Sequence, residues 1–208
     1  MTVEDLERFE DEIATIYGQG AIRGPIHLRS GQAQYLVEIF KEIRPEDWVF
    51  GTWAAHEIAL LKGVPRELVK GEILDSRSIT LCFPSFNLYT SAIVGQIAPW
   101  STGVAHSMKL SNAPTRVFCF LGDASIHTGI VFESIQFSIL HDLPITWVLG
   151  DNNTSVCTPV NQINPSTKKC WQLYEELSKF HNNEQVKFIY YEFESKFPHS
   201  GTGEFVSF

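Results

Sequence analysis

Two continuous apolar runs separated by a helical stretch constrain this chain more than any other part of it. The first, Val117 to Leu121, is stopped by Gly122-Asp123, and the second, Ile145 to Leu149, by Gly150-Asp151-Asn152. Apolar runs of this length without polar alternation suit parallel strands buried on both faces. Between them Val131, Ile135 and Ile139, and also Phe132, Phe137 and Leu140, recur at helical spacing. Strand, helix and strand at this length make one βαβ unit, whose right-handed crossover brings both strand ends to the same sheet edge. Asp123 and Asn152 then meet at the carboxyl ends of neighbouring strands, where open α/β sheets bind ligands. A carboxylate and a carboxamide are hard oxygen donors, suited to Mg²⁺ or Ca²⁺ and not to zinc. Amides opening the helix after Asp123 would suit the phosphates with which Mg²⁺ completes its shell. The competing reading is that Asp and Asn cap turns at strand ends; the order of the whole block is what separates the two.

The chain has 208 residues, enough for one α/β domain over 1–208 with a sizeable core. A formal charge of −8 argues against a nucleic-acid partner. No apolar run approaches membrane length, and the N-terminus is acidic and amphipathic, unlike a signal peptide. The four cysteines, at 82, 119, 157 and 170, have no Cys-x-x-Cys spacing. They read as reduced, mostly structural thiols in a cytoplasmic protein.

Along the chain, residues 4–17 read as an amphipathic helix with Leu6, Phe9, Ile13 and Ile16 on one stripe. Its acidic cluster (Glu4, Asp5, Glu7, Glu10, Asp11, Glu12) reads as a solvated face. Ser30 is the expected N-cap of a helix to Ile43. Gly63 closes the next helix, and Pro65 opens another at its first position. Residues 76–87 read as irregular, and Thr154–Pro159 as a loop. A helix over 167–181 should turn Trp171, Tyr174, Leu177 and Phe180 or His181 inward. Val186–Phe193 is rich in β-formers and is expected to be a third parallel strand.

The block from Gly122-Asp123 to Asp151-Asn152 resembles the thiamine-diphosphate motif, Gly-Asp-Gly, a linker, then Asn-Asn. The flanking Gly129-x-x-Phe132-Glu133 and Leu143-Pro144 fix an ungapped register, which places Asp151-Asn152 on the Asn-Asn pair. Further segments resemble thiamine-dependent 2-oxo-acid dehydrogenase alpha subunits. Ile22-Arg-Gly-Pro-Ile-His27 with Gly31-Gln32, Asp47-Trp-Val with Thr52-Trp53-Ala54-Ala55-His56, and Ala92-Ile93-Val94-Gly95 with Pro99, Gly103, Ala105 and Lys109 stand at matching spacing. The similarity runs from about residue 6 to 160, with weaker support to the end. Ala124 stands for the motif's second Gly, and Ala54 for an Arg that grips the diphosphate. In the terminal loop His199 aligns with the family's His, Ser195 stands for a second Arg, and the usual subunit continues further.

The resemblance implies a doubly wound, mostly parallel sheet with helices on both faces. It implies thiamine diphosphate with Mg²⁺ (Ca²⁺ as the alternative) held by Asp123, Asn152 and the carbonyl of Thr154. Asn153 is the alternative ligand if the loop slips by one. Trp53, Ala92, Val94, Gly122, Ala124 and Ser125 would line the cofactor, with His56 and His199 as catalytic groups. It also implies a separate beta-type subunit supplying the activating Glu, a small 2-oxo-acid substrate, an α2β2 assembly or a homodimer in isolation, and inactivity of the chain alone. Two rivals remain at this stage: a split decarboxylase or transketolase-like half, and a non-catalytic scaffold relative that has lost the arginines.

Overall fold

A computed structural model describes residues 1–156, 158–164 and 166–197. His199, one of the expected catalytic groups, lies outside the described residues, as does Cys157. The chain divides into two compact units. The first contains residues 1–45, 51–92 and the stretch from Phe193; the second contains 46–50 and 93–192.

The second unit is built on parallel strands. These are β1 (Trp48–Gly51, all but Gly51 in this unit), β4 (Val117–Gly122), β5 (Ile145–Asp151) and β8 (Lys187–Glu192), paired in the order β1-β4-β5-β8. The six residues of β4 are all buried, as are the first six of β5, as the unbroken apolar runs require. β8 is the expected third parallel strand. Gly150 is closely covered: a Cβ there would meet the Tyr191 hydroxyl oxygen at 2.8 Å and Cζ at 2.9 Å, so the tyrosine side chain would have to shift.

Helices α5 (Ile97–Leu110), α6 (Gly129–Leu140) and α8 (Thr167–Phe180) pack on this sheet and on one another. On α6 only Val131, Ile135 and Ile139 are buried with the small Ser134 and Ser138. Phe132, Phe137 and Leu140, equally well spaced, lie exposed, because a helix apolar all round presents one stripe to its sheet. Trp147 of β5 is wholly buried, and its indole N–H donates to Ser138 Oγ at 3.0 Å, joining strand to helix. On α8, Trp171, Tyr174 and Ser178 face inward. Phe180 is 80% exposed and His181 is exposed, which corrects the expected stripe. Ser178 takes the inward position at i+7 from Trp171, where its hydroxyl donates to Asn183 Oδ1 at 3.0 Å. A short antiparallel pair, β6 (Thr154–Ser155) and β7 (Thr158–Pro159), replaces the expected plain loop and leads into α7 (Val160–Ile163).

The first unit holds α1 (Val3–Gly18), α2 (Ala33–Phe40), α3 (His56–Leu61), α4 (Arg66–Leu74) and the antiparallel hairpin β2 (Cys82–Phe83) with β3 (Leu88–Thr90). Thr2 and Asp5 form a capping box at the start of α1. Leu6, Phe9 and Ile13 are fully buried, but so is Glu10, which corrects the reading of the acidic cluster as wholly solvated. Glu10 stands four residues after Leu6 and three before Ile13, on the apolar stripe itself. Ser30 does not cap α2. Its hydroxyl donates to Glu10 Oε2 at 2.9 Å, the cap position is Gln32, and the helix stops at Phe40, short of Ile43. Pro65 is the N-cap of α4, one position before the expected first helical place. Gly63, at φ +91°, follows α3 and closes it as expected. Among the described residues no helix is long and apolar enough to cross a membrane.

Candidate functional site

The βαβ unit places the two motif ends as the sequence predicts. Gly122 of β4 lies opposite Gly150 of β5 in parallel register, so Asp123 and Asp151-Asn152 leave neighbouring strand ends. Asp123 is 2% exposed. Its Oδ1 accepts the N–H of Ala124 at 2.8 Å, and its Oδ2 accepts the N–H of Thr154 at 3.1 Å. These two bonds set the plane of the carboxylate and tie the loop after β5 to the end of β4.

The loop sorts its two asparagines. Asn153 adopts φ +53°, a left-handed conformation that Asn tolerates. Its Oδ1 accepts the N–H of Asn161 at 2.9 Å, and its carbonyl accepts the N–H of Val160 at 3.0 Å, so Asn153 caps the start of α7. Asn152 does the opposite: its Oδ1 is buried with no hydrogen-bond partner. A buried acceptor left unmet costs about 1–3 kcal/mol, and this one lies at a strand end where a ligand could meet it.

The turn after Asp123 departs from expectation. Asp123–His127 is a 3-10 turn, and the regular helix begins only at Gly129. The amide of Ala124 is taken by Asp123's own carboxylate. The amide-rich helix start expected to face phosphate is therefore displaced to Thr128 and beyond. Val94 is brought near that start. Gly95, at φ +81°, lies so close to it that a Cβ would meet Ile130 Cγ2 at 2.8 Å and Thr128 Oγ1 at 3.1 Å. Val94 itself is 44% exposed. Ser125 is buried, and its carbonyl accepts both the N–H and the hydroxyl of Thr128.

Sequence reasoning passed over a polar chain on the same edge. Tyr190 OH donates to Asp151 Oδ2 at 2.8 Å and lies 2.9 Å from Glu192 Oε1, which in turn accepts from Lys168 Nζ at 2.8 Å. Burial, with both carboxylates adding to it, pushes the Tyr190 phenol far above its ordinary value. His127 Nε2 sits 3.0 Å from Thr167 Oγ1, and burial lowers its pKa against the opposing pull of Asp151. The available signal was the partial alternation of the last strand, which puts Tyr190 and Glu192 on one face.

Residues 1–171 match the family described as Dehydrogenase E1 component. The chain belongs to the dehydrogenase E1 component family. Among curated relatives, it is 28% identical over 167 residues to the pyruvate dehydrogenase E1 component subunit alpha of Rickettsia bellii, covering 74% of this chain and 51% of the relative. The subunit of the same name from Rickettsia prowazekii is 28% identical over 187 residues, covering 84% and 56%. The chloroplastic alpha-3 subunit of Arabidopsis thaliana is 29% identical over 162 residues, covering 69% and 37%. The chain spans about half the length of the first of these relatives.

The remaining expected residues of this E1-family chain lie in its first unit. Trp53 is half-buried, with its ring 5.5 Å from that of His27. Ala54, standing where an arginine was sought, is buried. Ala92 is half-buried. His56 is 1% exposed, with Nε2 2.7 Å from Ser78 Oγ and Nδ1 3.9 Å from Glu10 Oε1. Burial, with His27 adding to it, pushes the His56 pKa down to about 3, so its ring is neutral. A ring so enclosed packs within the first unit, held by Ser78 and beside Glu10. Lys109 Nζ donates to the carbonyls of His141 and Asp142, at the far end of α6. Arg77 pairs with Glu72 and Asp75 on the surface. Arg29 lies over the Phe193 ring at 6.0 Å.

The donor set fits a hard cation. Among the described residues no group of three His, Cys, Asp or Glu is placed to hold a metal. Asp123, Asn152 and Thr154 offer a carboxylate, a carboxamide and a peptide carbonyl, oxygen donors of the kind that suit a hard cation.

Proposed function

We propose that this chain is the alpha-type subunit of a thiamine-diphosphate-dependent enzyme acting on a 2-oxo acid, and that it works with a separate beta-type subunit. The observation that carries the proposal is the unmet buried oxygen of Asn152 on the loop pinned to Asp123, in a chain of the E1 component family. In this reading Asp123 Oδ, Asn152 Oδ1 and the carbonyl of Thr154 would hold Mg²⁺, with Ca²⁺ as a substitute, as the charge that anchors the diphosphate. The cofactor, when bound, supplies a carbon nucleophile and an electron sink for decarboxylation and acyl transfer.

The chain's own residues bind and orient. Asp123 contributes the charge. Asn152 contributes a neutral donor that neither competes for a proton nor repels the phosphates. Gly122 and Ala124 would keep the approach narrow, and the family resemblance gives the backbone at Ala92 and Val94 a role toward the cofactor ring. His56, being buried and neutral, supports the first unit. The beta-type partner supplies the acid that activates the ring; an α2β2 assembly and a cytoplasmic location belong to the same reading.

A second reading, a non-catalytic scaffold relative, is favoured by the burial of Ala54 and by Ser195, whose hydroxyl donates to the Phe197 carbonyl where a guanidinium was sought. Calorimetric titration with thiamine diphosphate and Mg²⁺ separates the two. Binding by the wild type that is lost in Asp123→Ala supports the proposal. Absence of wild-type binding supports the scaffold.

A further inference from the structure

The orientation of Asn152 depends on the residue before it. Asp151 ends β5, and its Oδ1 accepts the N–H of Asn153 at 2.9 Å, an i to i+2 turn closed by a side chain. That bond holds Asn153 in its left-handed conformation and turns its side chain toward α7. With Asn153 committed there, Asn152 keeps a buried, unmet oxygen, and the next peptide bonds to Asp123. A turn that merely ended a strand would need only this first bond.

Asp151 has a second restraint. Its other oxygen accepts the Tyr190 hydroxyl from β8, the next strand over, where Glu192 lies directly opposite Asp151. A tyrosine has one hydroxyl proton and two carboxylates in reach. Lys168, whose Nζ bonds Glu192 at 2.8 Å and lies 5.3 Å over the Tyr190 ring, satisfies Glu192 and leaves the proton to Asp151. The carboxylate at the root of the loop is thus fixed at both oxygens, one by its own turn and one by a neighbouring strand.

We propose that Asp151, held by Tyr190, is a positioning residue that aims Asn152 and Thr154 at the metal beside Asp123. This rests on the reading of Asp123, Asn152 and Thr154 as the metal set. Groups that orient metal ligands from behind commonly change metal affinity tenfold or more when removed. The predicted ranking is specific. Tyr190→Phe loses one hydroxyl and no volume, and weakens metal binding about threefold to tenfold. Asp151→Ala loses both bonds and weakens it about tenfold to thirtyfold. Asp151→Asn restores wild-type affinity to within about threefold: its oxygen still accepts from Asn153, and its NH₂ can donate to the tyrosine oxygen while the hydroxyl turns to Glu192.

The test is titration of the full chain with Mn²⁺ at saturating thiamine diphosphate, reading free Mn²⁺ by electron paramagnetic resonance. Circular dichroism confirms that each variant is folded at the working temperature. The proposal expects the order above, and no further loss when Tyr190→Phe is added to Asp151→Ala. It is overturned if Asp123→Ala abolishes binding while Tyr190→Phe and Asp151→Ala bind as the wild type does. It is also overturned if the Tyr190→Phe loss persists undiminished in the Asp151→Ala background. If the wild type does not bind Mn²⁺ with thiamine diphosphate, or if Asp123→Ala binds unchanged, the metal reading falls and this inference with it.

Discussion

Each unit of the chain buries a cluster of polar oxygens, and the two clusters solve the same problem in opposite ways. In the first unit Glu10, Glu57, His56, Ser30, Gln32 and Ser78 are all buried. Glu10 Oε2 accepts the Ser30 hydroxyl and the Arg29 amide, and Gln32 Nε2 donates to Glu57 Oε2 at 2.6 Å. His56 Nδ1 and Glu57 Oε1 have no hydrogen-bond partner. In the second unit Thr102 Oγ1 and Trp171 Nε1 are also unmet, on buried helix residues, but Asn152 Oδ1 belongs to a half-buried loop residue at the carboxyl edge of the sheet. An unmet acceptor at an edge is one a cation can reach. Unmet groups sealed inside a core can only be relieved by a proton. The first cluster therefore reads as a structural element sensitive to pH, and the second as a ligand site.

The largest expected effect lies in the edge cluster. Asp123→Ala should weaken binding of Mg²⁺ with thiamine diphosphate more than about a hundredfold, roughly 3 kcal/mol. Calorimetry that found equal affinity would break the comparison by removing its ligand side. The asparagines come next. Asn152→Ala should cost about tenfold or more in metal affinity. Asn153→Ala should leave affinity within severalfold and instead cost about 1 kcal/mol of stability through the lost cap on α7. Equal effects of the two would show that the loop does not sort them as described.

The sealed cluster is sharpened by pH. Burial raises Glu10 from the usual 4.5 to about 7, and burial, with Glu10 adding to it, raises Glu57 well above its usual value. The folded state therefore holds protons that the unfolded state has lost. The contribution of Glu10 to stability is full below about pH 4.5 and is lost as pH rises through about 7, and that of Glu57 is lost in the same direction. His56 acts in the other direction. Held neutral down to about pH 3, it withdraws stability as pH falls from about 6.5. Glu57→Gln should stabilise the protein at pH 8 by about 1–3 kcal/mol, and should flatten the decline between pH 5 and 8 measured by denaturant unfolding. An unchanged pH profile would show that these carboxylates are not buried in solution. Ser78→Ala should be the smaller change, costing about 1 kcal/mol through the lost partner of His56 Nε2.

Much of the ligand edge was legible in the sequence, because unbroken apolar runs ended by Gly-Asp admit few folds other than a parallel βαβ unit. The order Asp123, helix, Asn152 then followed from handedness alone. The choice of Asn152 over Asn153 came from register in the sequence; the structure shows Asn153 bonded to the start of α7. Tyr190, Glu192 and Lys168 were not legible: their alliance with Asp151 depends on which strand lies beside β5, and no local pattern states that. Glu10 was legible and misread, because its charge outweighed its place on the Leu6–Ile13 stripe. The end of α8 failed for the reverse reason: Phe180 has the right chemistry, but Ser178 occupies the inward position.

The central claim is that the unmet oxygen of Asn152 is a metal ligand. It is tested most directly by Mn²⁺ titration of the wild type, Asn152→Ala and Asn153→Ala at saturating thiamine diphosphate. The account predicts tight binding by the wild type, a loss of about tenfold or more in Asn152→Ala, and near-wild-type affinity in Asn153→Ala. Wild-type affinity in Asn152→Ala would contradict it.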